Sequence, residues 1–283
     1  MKAVPMAVRL AVLIFVGATA ACSSPPGDDT APTPVSAENS PALWDSRTDT
    51  AFDYQLGGAY PPPPGTAVVV RDSTDLPLAG LYNVCYVNGF QTQPDERDRW
   101  TGEYRDLVLK GPGGRPLVDE GWPDELILDT STADRRRRIA EAVGSTIEEC
   151  ARKGFRAVEI DNLDSFTRSR GLLTAEDNLA LAALLVRKAH DHGVAIGQKN
   201  AAELSERGRR IGFDFAVAEE CAQFDECDSY SDVYGDHVLD IEYTDTLDVD
   251  FRQVCGRSDI PHVILRDRRL VAAGNPEYFY RRC

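Results

Sequence analysis

The stretch "VEIDNLDSF", Val158–Phe166, closes a strand-like run with Asp161, Asn162 and Asp164 in near succession. Asp and Asn are depleted in strands, so at a strand's end they serve either turn chemistry or a site. Glu159 lies two residues before Asp161 and therefore on the same strand face. Further along, "FDFAVAEE" ends in Glu219 and Glu220. Two carboxylates facing each other can hydrolyse a glycosidic bond, one protonating the leaving oxygen while the other attacks carbon or activates water. Their pKa values must differ, which burial or a like-charged neighbour achieves, and Glu159, Asp164 and Glu220 are such neighbours.

A pair of this kind needs rigid elements to fix its separation. From Phe155 onward strand-like and helix-like segments alternate: "FRAVEID", then "TAEDNLALAALLVRKAHDHG" with a Thr174/Asp177 capping pattern and Gly193 after it, then "VAIGQKN", "AAELSERGRRIG", "FDFAVAEE", "CDSYSDVYG", "HVLDIEYT", "DVDFRQVCG" and "PHVILRDR". Such alternation implies parallel strands joined by right-handed crossovers. Earlier strand candidates are "FDYQL", "AVVVRD", "LYNVCYV" and "ELILD", with more irregular connections. Nine candidates compete for the eight places of a (β/α)8 TIM barrel, so one is peripheral. No GxGxxG follows the first strand, which argues against a doubly wound dinucleotide fold. In the barrel every strand's carboxyl end converges on one mouth, and the polar residues collect there: Tyr86 and Asn88, Asp129, Asp161, Lys199 and Asn200, Glu219, Glu242 and Tyr243. Capping before "TSTAD" could account for Asp129 alone.

Competing chemistries lack their signatures. There is no GxSxG elbow, and "KGPGGRP", residues 110–116, reads as a surface turn rather than a phosphate loop. His190 and His192, at i and i+2, do not share a helix face. No CxxC pair suggests zinc, and neither a metal nor a cofactor is expected.

Residues 1–21 have the layout of an export signal: Lys2 and Arg9, then the apolar "LAVLIFVGATAA", too short to span a bilayer. The junction "TAAC" resembles a bacterial lipobox, which would lipidate Cys22 and make it the mature N-terminus. Residues 22–41, rich in Pro, Ser, Thr and acids, read as a flexible tether, leaving residues 42–283 as one domain. The protein is then expected as a monomer at the extracellular face of the cell membrane, or secreted, touching the membrane only through its lipid. Six further cysteines, Cys85, Cys150, Cys221, Cys227, Cys255 and Cys283, favour disulfides in an exported chain, although their number leaves the pairing open. Without Lys2 and Arg9, 29 basic residues stand against 46 acidic ones, a balance of −17. Such a surface repels nucleic acid and attracts cations.

The segments "YQLGG", "VCYVNG", "GWPDELILD", "GFRAVEIDNLDSF", "AHDHGVAIGQKN", "FDFAVAEECAQFDEC" and "HVLDIEY", in this order, resemble the endo-α-1,4-polygalactosaminidases of glycoside hydrolase family 114. The resemblance implies a TIM-barrel hydrolase that cuts α-1,4-linked galactosamine polymers at internal bonds. By motif, Asp161 and Glu219 would be the catalytic carboxylates. Asp164, Tyr86, Asp129, Lys199, Asn200, Glu220, Glu242 and Tyr243 would line the substrate groove. It also implies bridges Cys85–Cys150 and Cys221–Cys227, leaving Cys255 with Cys283. A cationic, deacetylated polysaccharide would suit the acidic surface. Asn88, Gly89 and Phe90 stand where the family has Ser-Ala-Gly, and Gln93 about where it has an acid. These departures motivate an alternative with the same barrel, a lipoprotein that binds such a polysaccharide without cutting it.

Overall fold

A computed structural model of the chain describes residues 41–46 and 50–283. The export segment, Cys22 and the tether up to residue 40 lie outside the described residues. Among the described residues no helix is long and apolar enough to cross a membrane. Eight strands pair in chain order, each parallel to the next: β1 (Ala51–Gln55), β2 (Thr66–Asp72), β3 (Tyr82–Asn88), β4 (Ala157–Asp161), β5 (Ala195–Lys199), β6 (Phe215–Glu219), β7 (Val238–Tyr243) and β8 (Val263–Arg266). This is the TIM-barrel order. The helices are α1 (Arg97–Gly102), α2 (Ala133–Lys153), α3 (Ser165–Arg168), α4 (Ala175–Asp191), α5 (Ser205–Ile211), α6 (Cys221–Phe224), α7 (Asp228–Tyr234) and α8 (Phe251–Val254). The β1–β2 and β2–β3 crossovers carry no helix, in keeping with their irregular sequences.

The peripheral strand candidate is "ELILD". Its residues make only isolated antiparallel bridges, Ile127 to Gln91, Leu128 to Val108 and Leu126 to Val118, within the excursion between β3 and α2. Leu126 and Leu128 pack on the outer core, and Ile127 joins Leu109, Leu117 and Leu173 in a separate cluster. The segment is apolar because it covers the barrel, not because it belongs to it.

Strand alternation sorts side chains into two layers. Phe52, Tyr54, Val70, Tyr86, Phe215 and Ile241 fill the barrel, while Val87, Val158, Ile160, Ile196 and Val238 meet the helices. The interior accepts so many rings because β4 and β5 are small where the others are large, at Ala157, Ala195 and Gly197. A Cβ on Gly197 would sit 2.4 Å from the Phe215 ring. On the outside, α2 begins at Thr132, whose hydroxyl accepts the Arg135 amide, and buries Ile139, Val143 and Ile147. Full burial of each is worth about 2 kcal/mol. The Thr174/Asp177 capping box opens α4 as its sequence indicates.

The seam between β8 and β1 is closed by side chains and a single backbone bridge, Gly57 N to Leu270 O at 3.2 Å, rather than by a ladder. A short β9 (Tyr280–Arg282), not apparent in the sequence, runs antiparallel on β8, and the Tyr280 hydroxyl donates to Phe52 O at 2.8 Å. Fully buried Arg266 reaches Asp53 Oδ1 at 3.2 Å, Phe279 O at 3.0 Å and the Tyr54 carbonyl. Among the described residues three disulfides form: Cys85–Cys150, joining β3 to α2, Cys221–Cys227, and Cys255–Cys283, which ties down the C-terminus. They are the pairs that the family resemblance implies.

Gly197→Ala tests the packing of the barrel interior. Thermal unfolding is expected to show a loss of about 1–3 kcal/mol from overpacking against Phe215, and an unchanged Tm would contradict the argument.

Candidate active site

The inward positions at the carboxyl ends of β4, β5 and β6 are Asp161, Lys199 and Glu219, all at one rim. Lys199 is only 2% exposed, and its Nζ stands at the centre. It lies 3.2 Å from Glu219 Oε2, 3.1 Å from Glu159 Oε1 and 3.9 Å from Asp161 Oδ1, and donates to the Tyr54 hydroxyl at 2.9 Å. The shared ammonium therefore keeps the facing oxygens of Asp161 and Glu219 within about 7 Å of each other, the 3.9 and 3.2 Å contacts laid end to end. That is the span in which two carboxylates can work on one glycosidic bond.

Each carboxylate has its own hydroxyl and amide. Tyr86 donates to Asp161 Oδ2 at 2.6 Å, and the Asn162 amide donates to Asp161 Oδ1 at 2.8 Å. Tyr243 donates to Glu219 Oε1, while Asn200 clamps the same residue twice: its Nδ2 donates to Oε2 at 3.0 Å, and its Oδ1 accepts the Glu219 amide at 2.8 Å. Beneath them Tyr54 donates to Glu159 Oε1 at 2.6 Å, and Oε2 of that residue is buried without a partner among the described residues.

Electrostatics separates these acids. Burial alone would raise the pKa of Glu219, but the Lys199 charge, with the Tyr243 and Asn200 bonds, holds it below the ordinary glutamate value. Fully enclosed Glu159 is pushed up to about 7 by burial, although Lys199 and Tyr54 oppose the rise. For Lys199, burial works against the charged form, yet Asp161, Glu219 and Glu159 outweigh it and raise its pKa well above the usual lysine value. Burial raises Tyr54, Tyr86 and Tyr243 far enough that they remain hydroxyl donors.

The turn after each of Asp161, Lys199 and Glu219 is left-handed. Asn162 (φ 67°), Asn200 and Ala201 (φ 51° and 59°) and Glu220 (φ 65°) all lie in this region, unusual for residues other than glycine. Asn tolerates it best, which suits positions 162 and 200. Strain of this kind concentrates where loops must leave a strand sharply and carry a site.

Two expected lining residues lie elsewhere. Asp129 ends a segment outside the barrel, and its carboxylate accepts the Ser131 amide at 3.1 Å and pairs with Arg135 at 3.0 Å. Its role is in the local turn before α2, where Thr132 rather than Asp129 caps the helix. Glu242 has the wrong parity: Leu239, Ile241 and Tyr243 face the interior, so Glu242 faces the helices, where Oε1 accepts the Ala222 amide at 2.7 Å. The other lining candidates do reach the rim. Asp164 and Glu220 line an open cleft of about 290 Å³ with Glu219, Asn200, Glu203 and Phe224. Both are matched by arginines: Arg168 takes Asp164 at 2.7 and 2.9 Å, and Arg268 takes Glu220 at 2.8 and 3.0 Å. A second cleft of similar volume contains Gln93, beside Asp72, Asn88 and Gln91.

Sequence reasoning missed Tyr54, which reads as core because its hydroxyl meets Lys199 only across the barrel. It also missed Arg168, although an Arg four residues after Asp164 on a short helix is a legible signal. In the wall beyond Asn162, Asn88 is legible as a strand-end residue, but Glu125 gave no signal. Asn162 Nδ2 donates to Asn88 Oδ1 at 3.1 Å, Asn88 Nδ2 donates to Glu125 Oε2 at 2.9 Å, and burial with the Asp161 charge raises Glu125 to about 7. Among the described residues, Cys221, Cys227 and Asp240 come near enough to share a cation, but those sulfurs are joined in a disulfide.

The fold has counterparts among solved structures. Ega3 from Aspergillus fumigatus, in complex with galactosamine, superposes with a TM-score of 0.64 at 22% identity, over 83% of this chain and 95% of that one. The glycoside hydrolase domain of PelA from Pseudomonas aeruginosa gives 0.52 at 16% identity, over 80% and 97%. At these identities the likeness establishes the fold. Among curated proteins none matches the chain. The model of glycoside-hydrolase family GH114 matches residues 33–283, nearly the whole sequence, and the chain belongs to that family.

Proposed function

We propose that this glycoside hydrolase is exported and cleaves α-1,4-linked galactosamine-containing polysaccharide at internal bonds, with Asp161 and Glu219 as its two working carboxylates. The observation that carries the reading is the rim of β4, β5 and β6, where one buried ammonium holds both acids within reach of a single bond. One carboxyl protonates the leaving oxygen, and the other attacks the anomeric carbon or activates water, so that one water is consumed for each bond broken. Lys199 and Tyr243 keep Glu219 ionised, while Tyr86 and the Asn162 amide orient Asp161. The likeness to Ega3, whose complex holds galactosamine, supports an amino sugar as the substrate unit. The excess of acidic residues gives a cationic polymer a favourable field. Three disulfides suit an oxidising compartment, and Cys22 would anchor the protein by lipid at the outer face of the membrane.

Asp161→Asn and Glu219→Gln are each expected to reduce oligosaccharide release from partially deacetylated α-1,4-galactosamine polymer by at least about a hundredfold, with circular dichroism unchanged. Turnover like wild type in either variant rejects the assignment. If wild type binds the polymer in a salt-sensitive manner but never shortens it, the protein is a binder and not a hydrolase.

A second expectation concerns pH. Lys199 opposes the burial that would raise the Glu219 pKa, so Lys199→Met removes that opposition and the pKa of Glu219 rises. At a given acidic pH less of the enzyme then carries ionised Glu219. The acid limb of kcat/KM should move to higher pH, and an unmoved limb would show that Glu219 ionisation does not control the rate.

A further inference from the structure

The loop Cys221–Cys227 presents an aromatic ring that the barrel core does not use. Phe224 is 65% exposed, although apolar rings are ordinarily withdrawn from water. The loop that carries it is held rigidly. The Cys221–Cys227 disulfide closes it, the Phe224 amide donates to Glu220 O at 3.0 Å, and the Glu226 amide donates to Cys221 O at 3.0 Å. Below, Glu242 and Asp240 take the amides of Ala222 and Cys221. An aromatic side chain fixed in this way loses little freedom on binding, since only two torsions remain.

Phe224 lines the same open cleft as Glu219, and Glu203 and Glu226 line it too. The charges of Asp164 and Glu220 in that cleft are matched by Arg168 and Arg268. Glu203 and Glu226 form no ion pair among the described residues, and burial with the Glu203 charge raises the pKa of Glu226. A flat apolar face next to two uncompensated carboxylates complements one ligand chemistry well: a pyranose whose C–H face stacks on a ring and whose substituent is an ammonium.

We propose that Phe224 is the stacking platform for a substrate sugar next to the scissile bond, with Glu226 and Glu203 receiving that sugar's ammonium. This rests on the hydrolase reading above and adds to it a residue that binds the sugar face and two carboxylates that select for the amino group. Phe224 acts in binding and takes no part in bond cleavage.

The test compares Phe224→Ala, Phe224→Trp and Glu226→Gln with wild type on partially deacetylated and fully N-acetylated α-1,4-galactosamine polymers. Phe224→Ala is expected to raise KM about fivefold with kcat nearly constant and Tm unchanged, and Phe224→Trp to restore KM. Glu226→Gln should weaken binding of the deacetylated polymer only, with a loss that vanishes at high salt. If wild type cleaves and Phe224→Ala has the wild-type KM, the platform is rejected while the hydrolase stands. If wild type releases no products, the hydrolase reading fails, and direct binding of the same polymers then decides. A weaker affinity of Phe224→Ala supports the platform, and equal affinity, including none, overturns it.

Discussion

The arrangement at the barrel mouth depends on one buried cation. Two unit charges about 4 Å apart interact by about 4 kcal/mol at an effective dielectric of about 20, and an ion left unpaired in the interior costs several kcal/mol. Lys199 escapes that cost only because Glu219, Glu159 and Asp161 surround it, and they tolerate mutual proximity only because it stands between them. Position therefore follows from charge balance. The acids cannot drift without exposing the ammonium, and the ammonium cannot leave without forcing a proton onto one of the acids.

The barrel supplies the other half of the constraint. A strand alternates its side chains, so Glu159 and Asp161 both enter the interior while Val158 and Ile160 fill the layer under the helices. The next residue must turn away from the sheet at once, and the left-handed conformations of Asn162, Asn200 and Glu220 accomplish this. Asn200 uses its turn to clamp Glu219 from the neighbouring strand. Backbone strain and site geometry are thus the same feature.

Acids that miss the interior do different work. On the outer face of β7, Asp240 and Glu242 are buried together. Burial, strengthened by the neighbouring carboxyl's charge, pushes Asp240 well above the ordinary aspartate value, and burial also raises Glu242. These carboxyls hold the backbone at Cys221 and Ala222, and so the base of the loop that follows Glu219. The seam has a comparable device in Arg266 and Asp53, both completely buried, where a guanidinium replaces the missing ladder between β8 and β1.

Local pattern sufficed for much of this. Alternating apolar positions, the Thr174/Asp177 box and the regular strand–helix repeat after Phe155 indicate nine strand candidates, the parallel order of the eight that build the barrel and the helices between the later ones, while the structure identifies the ninth as peripheral. That strand-end acids meet at one mouth also followed, because carboxyl ends converge in any such barrel, whereas the choice of Asp161 and Glu219 among them came from the family motifs. Glu242 and Asp129 show the limit: one differs from its inward neighbour by a single position, and the other ends a segment whose apolarity covers the barrel instead of building it. Composition cannot separate these cases, since burial looks alike on both sides of a sheet. What the chain alone determined is which residues stand at which strand ends. Only the closed tertiary structure decided which of them share Lys199, because contacts such as Tyr54 to Lys199 run across the barrel between residues far apart in sequence and have no local signature.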